Sequence, residues 1–211
     1  MVDAGPEARR AEPVTVSDGQ PSAGSRLRSA LIETATTVVL AVVIYLVVQT
    51  FVVQTYQVHQ QSMVPTLKPG QHLLVDKITP RFDDYSRGDV VVFRPPETEI
   101  DDTPFIKRII GVAGDRVEIR GGNVFVNGVQ LPEPYVSDDG PTVPTGGESS
   151  WTVPAGGLFV MGDHRTASED SRSFGPIGID RVIGRAWLRF WPIDTLSILA
   201  TPTYPDLSAA P

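Results

Sequence analysis

The feature that most constrains this chain is a long uncharged run near its start. The 25 residues from Thr34 to Val58 contain no Asp, Glu, Lys or Arg, and the centre of the run, Val38–Val48, would be apolar on every side of a helix. A helix on the surface of a globular protein would instead show a polar face. A helix from Leu31 to Val53 would be about 34 Å long, and the hydrocarbon core of a bilayer is about 30 Å thick. We therefore predict a transmembrane helix at residues 30–53.

A buried core helix and a cleaved signal peptide are two other interpretations of this run. A core helix of this length and uniformity would need a large protein around it, and a signal peptide has a shorter apolar segment of about 7–15 residues. Arg26 and Arg28 precede the run, whereas the first cation after it is Lys68. Because cytoplasmic flanks carry the excess of Lys and Arg, we expect a retained anchor with a cytoplasmic N-terminus and residues 59–211 outside the cytoplasm.

The rest of the chain consists of two tails and a strand-rich middle. Residues 1–29 have few large apolar side chains and are predicted to form a disordered cytoplasmic tail. Residues 54–193 are predicted to form a β-rich domain, and residues 194–211 a flexible C-terminal tail. Segments typical of short strands occur at 51–58, 72–75, 90–93, 116–119, 123–127, 129–131, 151–153, 158–161 and 185–191. The predicted fold class is therefore mainly β, with one N-terminal transmembrane helix followed by an extracytoplasmic all-β domain.

Composition excludes several kinds of chemistry. The chain has no Cys and 3 His, and its net charge is −7. Disulfides, thiol catalysis and Cys-based metal sites are therefore excluded, a His-rich metal site is not expected, and the charge gives no sign of a nucleic-acid partner. We expect no metal and no cofactor. Hydrolysis by such a chain would need an oxygen nucleophile and a base.

Three segments supply candidates for these groups. Ser62 lies in a polar turn ahead of Pro65, Lys107 lies in an apolar segment that is typical of a strand, and residues 162–175 form a polar loop that begins Gly-Asp. Taken singly, each has an ordinary structural explanation: a turn, a lysine protecting a strand edge, and a turn with Asx hydrogen bonds. Their occurrence together, in this order and after a membrane anchor, favours an active site.

Together the segments resemble bacterial type I signal peptidases over roughly residues 30–192. The matching motifs are Ser62-Met63-x-Pro65-Thr66-Leu67, Arg87 to Phe93, Ile106 to Gly111 with Gly114-Asp115, and Gly162-Asp163 followed by Ser168-x-Asp170-Ser171-Arg172. The resemblance implies a membrane-bound serine endopeptidase that removes signal peptides from exported preproteins. It also implies a mostly β catalytic domain without a cofactor, on the outer side of the cell membrane.

The resemblance also implies a role for each matching polar residue. Ser62 would attack the scissile carbonyl, and Lys107 would take its proton. A lysine amine acts as a base only when neutral, so its pKa must fall from about 10.4 towards about 7, and burial in apolar surroundings lowers it. Ser168 would hydrogen-bond the lysine amine, while Asp170 and Arg172 would support this loop as an ion pair.

The oxyanion hole and the substrate pockets depart in part from the family pattern. The Ser62 backbone N–H would be one oxyanion donor, and Gln60 occupies the position at which many family members carry the second donor, a serine. The positions that match the substrate pockets of the family are Tyr56, Val58, Met63, Val92, Phe105 and Ile106. Small apolar pockets there would select an Ala-x-Ala-like site, and cleavage near the bilayer would make lipid a second partner beside the preprotein.

Other functions stay open on the sequence. A Ser62–His164–Asp163 triad is one alternative, with His59 as another candidate base, although adjacent Asp and His side chains are poorly placed to bond each other. A membrane-tethered Ser–Lys peptidase with a different target is a second alternative. A catalytically impaired relative that binds exported chains is a third, and Gln60 and His164 are the departures that favour it.

Overall fold

The computed structural model describes residues 23–47, 53–78, 84–96, 103–138 and 140–207. These residues belong to two compact units that divide after Tyr45. The first contains a long helix, and the second contains the β-structure.

The helix α1 runs over Ala23–Val47. Within the described residues it is the one helix that is long and apolar enough to cross a membrane, over Ala30–Val47. The candidate span begins at Ala30, as predicted, whereas the predicted end at residue 53 is wrong because Val53 already lies in a strand. The helix itself begins at Ala23, and residues 23–29 contain no proline that would interrupt it. The predicted disordered tail is thus partly helical, and residues 1–22 lie outside the described residues.

Three threonine hydroxyls of α1 are satisfied within the helix itself. Each donates to the carbonyl oxygen one turn earlier, with distances of 2.9 Å for Thr34, 2.8 Å for Thr36 and 2.9 Å for Thr37. A polar group without a partner is costly in hydrocarbon. These hydroxyls therefore do not prevent the helix from crossing a bilayer.

The regular structure of the second unit is mainly β, as predicted, and its strand pairs are antiparallel. The strands are β1 Val53–Gln57, β2 His72–Asp76, β3 Val90–Phe93, β4 Phe105–Val112, β5 Arg116–Arg120, β6 Asn123–Val126, β7 Val129–Gln130, β8 Ser150–Thr152, β9 Gly157–Met161, β10 Ile177–Gly178, β11 Val182–Trp191 and β12 Ser197–Ile198. One short helix, α2, covers Ser171–Phe174.

The strands form two sheets. The larger has eight strands in the order β1-β2-β11-β3-β4-β9-β10, with β12 paired to β11, and the smaller has four in the order β7-β6-β5-β8. The two hairpins of the smaller sheet turn at the predicted pairs, with φ of 56° and 83° at Gly121 and Gly122 and of 52° and 84° at Asn127 and Gly128. Two successive positive φ angles are the requirement of a type I′ turn.

Alternating side chains divide the interior into three apolar clusters. Neighbouring residues of β3 face different clusters, since Val92 packs with Met63 and Leu73, whereas Val91 packs with Ile109 and Val160. A third cluster lies against the smaller sheet and includes Trp151 and Phe159. This alternation follows from the period of two in a strand. The same alternation in β4, which pairs with β3, sends successive side chains to opposite faces of the sheet.

The C-terminal segment is packed on the β-structure, which corrects the prediction of a flexible tail at 194–211. We call residues 197–207 the C-terminal strap. Thr201 Oγ1 donates to Asp89 Oδ1 at 2.8 Å, the hydroxyls of Tyr204 and Tyr135 are 3.1 Å apart, and Leu207 is buried in the cluster of Trp151. Its prolines are typical of a tail, but the apolar side chain of Leu207 is buried, and burial of apolar surface stabilises the packed segment. Residues 208–211 lie outside the described residues.

Candidate active site

Ser62 lies in the turn between β1 and β2, at a position fixed by its apolar neighbours. The backbone of Val58 is hydrogen-bonded to Gln71 O and Gly70 N, both at 2.8 Å, which closes the two ends of the turn. Met63 and Leu67 are buried in the cluster beneath it. The turn therefore cannot move freely, and the Ser62 side chain is held in a buried environment.

Lys107 lies in the middle of β4 and extends to Ser62. Its Nζ is 2.7 Å from Ser62 Oγ, and the lysine is 1% exposed. The strand is held from one side by β3, where Val91 pairs with Lys107. The ring of Phe105 lies 5.2 Å from Nζ. The two residues proposed from the sequence as nucleophile and base are therefore in hydrogen-bond contact although 45 positions separate them in the chain.

Burial sets the charge state of Lys107. The pKa of Lys107 is lowered from 10.5 to about 8, and the main cause is loss of hydration on burial. Arg172 acts in the same direction, whereas the carboxylates of Asp170, Glu169 and Asp163 act against it by favouring the ammonium form. A pKa of about 8 leaves roughly a tenth of the amines neutral at pH 7. The amine next to Ser62 is thus able to accept a proton near neutral pH.

Asp170 and Arg172 form a buried two-point ion pair. Arg172 Nε and Nη2 donate to the two carboxylate oxygens of Asp170, each at 2.8 Å. The same carboxylate accepts from Gly162 N at 3.0 Å, and Arg172 Nη2 also donates to Arg165 O at 2.7 Å. The pair therefore ties the first and last turns of the loop between β9 and α2 together.

Ser168 is brought next to the nucleophile, but the expected hydrogen bond to Lys107 is not among its contacts. Its Oγ is buried and has no hydrogen-bond partner within the described residues. The loop is tight here, because a Cβ on Gly162 would collide with Ser168 Oγ and with the Ser62 carbonyl oxygen. A buried hydroxyl without a partner is unusual, and its position beside the reacting groups makes it a candidate contact for substrate or for Lys107 during the reaction.

A second two-point ion pair was missed by the sequence reasoning. Arg108 Nε and Nη2 donate to the carboxylate of Asp163 at 2.9 and 2.7 Å, and Thr66 Oγ1 also donates to this carboxylate. The Arg108 guanidinium stacks on the ring of Tyr135 at 4.0 Å. Both charges are almost completely buried. The only signal in the sequence was that Arg108 and Asp163 each stand within a matched motif.

Arg165 and Glu133 form a third pair at the outer end of the same loop. Arg165 Nη2 donates to Glu133 Oε1 at 2.5 Å, and its Nε donates to Gly162 O at 2.9 Å. Nothing in the sequence indicates this pair, because Glu133 lies in the Pro-rich segment after β7. Charged groups thus hold the loop between β9 and α2 at three points.

The histidines do not form the alternative triad. The two oxygens of Asp163 accept hydrogen bonds from Arg108 and Thr66, so this carboxylate serves the buried ion pair. His164 Nδ1 is instead 3.3 Å from Gln61 O. His59 is exposed, and the Ser62 hydroxyl contacts Lys107 rather than a histidine.

The backbone next to Ser62 offers a donor for an oxyanion. Among the described residues, none accepts a hydrogen bond from Ser62 N. Gln60 is exposed and lines the pocket beside Ser62. Its amide is not held by a hydrogen bond within the described part of the chain, so its orientation is not fixed by the protein alone.

A pocket opens directly beside Ser62. It is lined by Gln57, Val58, His59, Gln60, Ser62, Met63, Thr103, Pro104 and Ile106. Three of the six predicted pocket residues, Val58, Met63 and Ile106, therefore reach it. The other three do not line it: Val92 is completely buried, Phe105 packs against Phe93 in another cluster, and Tyr56 is half-buried against the cluster of Met63. The pocket is narrow, and its apolar lining residues are Val58, Met63, Pro104 and Ile106.

No group of three or more Asp, Glu and His side chains in the described part of the chain is arranged to hold a metal ion. The polar groups around Ser62 are instead a lysine amine, hydroxyls and charges already paired with one another.

Comparison with known proteins gives one consistent family. The sequence pattern of the family described as signal peptidase, peptidase S26, matches residues 31–191. A signal peptidase I of Leptolyngbya laminosa is 38% identical over 189 residues, which cover 87% of this chain and 91% of that protein. A signal peptidase IB of Staphylococcus aureus is 34% identical over 180 residues, covering 79% of this chain and 92% of that protein.

Two further similarities were found. A probable signal peptidase I-2 of Synechocystis is 37% identical over 172 residues, covering 80% of this chain and 77% of that protein. Among solved structures, a signal peptidase I from Enterococcus faecalis V583 matches with a TM-score of 0.40 and 30% identity, over 49% of this chain and 97% of that one.

Proposed function

The chain belongs to the signal peptidase family, peptidase S26, and from this we propose that it removes N-terminal signal peptides from secretory preproteins with Ser62 as nucleophile and Lys107 as general base. It is a serine endopeptidase of the signal peptidase I type. The observation that carries the proposal is the 2.7 Å contact between Ser62 Oγ and a buried Lys107 amine.

The proposed reaction uses the lysine amine three times. Neutral Lys107 takes the Ser62 proton as Oγ attacks the scissile carbonyl, and the resulting ammonium then protonates the leaving amine. The same amine next activates the water that hydrolyses the acyl-enzyme. The Ser62 N–H, with no acceptor of its own, would stabilise the oxyanion together with the amide of Gln60.

The loop between β9 and α2 would keep the base in place. Asp170 and Arg172 fix the two ends of this loop, and we propose that Ser168 hydrogen-bonds the lysine amine once a substrate or a proton transfer draws the two together. Ser168 has a buried hydroxyl that lacks another partner. These three residues are positioning residues in this mechanism.

Substrate selection would depend on the pocket beside Ser62. Val58, Met63 and Ile106 give it an apolar wall, and a small apolar side chain such as alanine suits a narrow pocket of this kind. An extended preprotein segment could add to the exposed strand β1 through backbone hydrogen bonds, which make few demands on sequence. We therefore propose cleavage after an Ala-x-Ala-like site.

The membrane is the second proposed partner. Helix α1 is suited to a bilayer by length and composition. From the excess of cations before the helix, we propose a cytoplasmic N-terminus and a peptidase domain outside the cytoplasm. Large apolar side chains are exposed around β11 and β12, an arrangement that suits contact with lipid: they are Trp187, Trp191, Ile193, Leu196 and Ile198. The mechanism requires no metal, cofactor or nucleic acid.

The test is cleavage of a preprotein with an Ala-x-Ala site by the full chain in detergent. Wild type, Ser62→Ala and Lys107→Ala are compared with Lys68→Ala, a matched control in which an exposed lysine is removed. Wild type and Lys68→Ala should cleave after the alanine, and the two site variants should lose about 10³-fold or more in rate. Folding of each variant is checked by circular dichroism.

Each other result selects an alternative. Cleavage by Lys107→Ala at neutral pH would make the base assignment wrong and return attention to His164. Cleavage at a different sequence would indicate a Ser–Lys peptidase with another target. An inert wild type would indicate an impaired relative, and Gln60→Ser would then show whether the oxyanion hole is the defect.

A further inference from the structure

We propose that His164 is a positioning residue that aims the Ser62 N–H at the oxyanion, by holding the peptide group between Gln61 and Ser62. This inference rests on the proposed function. It concerns a side chain that the Ser–Lys mechanism does not otherwise use.

His164 holds two successive carbonyl groups of the nucleophile turn. Its backbone N–H donates to Ser62 O at 3.0 Å, and its ring Nδ1 lies 3.3 Å from Gln61 O. A carbonyl oxygen can only accept, so Nδ1 carries the proton in this contact. The neutral Nδ1–H form of the ring is sufficient, and no positive charge is needed.

The Gln61 carbonyl and the Ser62 N–H belong to one planar peptide unit. In a trans peptide the C=O and the N–H point in opposite directions from the same plane. A group that fixes the direction of the carbonyl therefore fixes the direction of the N–H. The Ser62 N–H has no acceptor within the described residues, so nothing on the oxyanion side competes for it.

The loop between β9 and α2, which carries His164, is rigid, and it can therefore hold the neighbouring turn in position. Asp163 is bound at two points by the buried guanidinium of Arg108. Gly162 packs so closely on the Ser62 carbonyl that a Cβ would collide with it. Within the turn, Val64 N also donates to Gln61 O at 3.0 Å, but Gln60 and Gln61 are exposed, so the ring of His164 supplies the second donor to this carbonyl, from outside the turn. The contact with His164 thus transfers the rigidity of the loop to the peptide of the turn.

The experiment compares His164→Phe and His164→Asn with wild type in the full chain. Phenylalanine keeps a ring of similar size but has no donor, whereas the Asn amide can donate from nearly the position of Nδ1. We expect His164→Phe to lower kcat about tenfold with KM changed less than twofold, a part of the 10²–10³-fold cost of deleting an oxyanion donor. His164→Asn should restore most of the activity.

A second readout separates this role from a purely structural one. A peptide aldehyde ending in alanine forms a tetrahedral adduct with Ser62, so it needs the oxyanion donor, whereas the corresponding peptide acid does not. His164→Phe should weaken aldehyde inhibition by about the same tenfold factor and leave inhibition by the acid unchanged. If His164→Phe does not fold, as judged by thermal unfolding, His164→Ala carries the same expectations.

The outcomes are distinguishable from those that test the proposed function. Equal kcat in wild type and His164→Phe overturns this inference alone, as does a change confined to KM. A loss of activity in His164→Asn as severe as in His164→Phe also overturns it. That result would mean that the imidazole acts as a base, which both substitutions remove, and not as a hydrogen-bond donor, which Asn replaces. A wild type that does not cleave the preprotein overturns both proposals.

Discussion

The rate of cleavage should follow the deprotonation of Lys107, and the structure predicts how steeply. Burial brings its pKa from 10.5 to about 8. The neutral fraction of an amine with a pKa of about 8 rises about tenfold from pH 7 to pH 9, whereas an amine that kept its ordinary pKa would gain about 100-fold. The pH profile therefore reports directly whether the lysine is desolvated.

The assay is single-turnover cleavage of the preprotein in detergent, with kcat/KM measured from pH 6 to pH 10. A rise that levels off above a midpoint near pH 8 is expected. Glu169→Gln adds a signed test, since the Glu169 carboxylate raises the pKa of Lys107, and its removal should move the midpoint to lower pH and increase the rate at pH 7. Glu148→Gln, a change at an exposed glutamate, is the matched control and should leave the midpoint in place.

Three results would refute this reasoning. A rate that is flat between pH 7 and pH 9 would mean that the base is already neutral, as a histidine would be. A 100-fold rise would mean that the lysine amine is hydrated in solution. A midpoint that moves to higher pH in Glu169→Gln would mean that the carboxylate does not act on the amine through its charge.

Three further predictions concern stability and packing. Lys107→Met should abolish cleavage yet raise the free energy of unfolding at pH 7 by about 2 kcal/mol, measured by urea titration. Burying the charged amine lowers the pKa from 10.5 to about 8 and so costs about 3 kcal/mol of folding free energy; this cost is fully present below pH 8 and absent above pH 10.5. Loss of the hydrogen bond to Ser62 offsets about 1 kcal/mol of the gain. An unchanged or lower stability would contradict it. Gly162→Ala should reduce kcat at least 10²-fold while the variant stays folded, because its Cβ would push Ser62 from its position; a rate within threefold of wild type would show that the loop yields. Leu207→Ala should lower the free energy of unfolding by about 2 kcal/mol or more, since the side chain is buried in a core cluster, and a change under 0.5 kcal/mol would mean that the C-terminal strap is not packed in solution.

Local patterns predicted most of the β-structure. Alternation of side chains identified the long strands, and the Gly-Gly and Asn-Gly pairs identified the two turns, because those features depend on residues adjacent in sequence. The ends of α1 were predicted less well. Hydropathy marks the part of a helix that suits lipid, whereas the helical backbone continues to Ala23, beyond the apolar run.

Contacts between distant residues could not be read from the sequence in the same way. Arg108 and Asp163 are 55 positions apart, and neither residue type reveals its partner. The face of a strand residue also depends on register, which is why Val92 and Phe105, both near the site in sequence, do not line the pocket. The prediction for the C-terminal strap was wrong because prolines indicate only that the segment is not a regular helix or strand. Whether the strap packs depends on the core cluster that receives Leu207, and distant residues form that cluster.

The order of Lys107 and Arg108 on β4 determines what happens to the site when β4 pairs in the wrong register. Successive side chains on a strand go to opposite faces, and here the first reaches Ser62 while the second clasps Asp163. A copy with β4 displaced by one residue would bring to Ser62 either Arg108, whose guanidinium does not give up its proton, or Ile106. The same displacement would bring to Asp163 either Ile109 or Lys107, and neither side chain can form the two-point ion pair. Such a copy would lose its activity and the Arg108–Asp163 ion pair together. A chain with this register error would therefore be inactive rather than partly active.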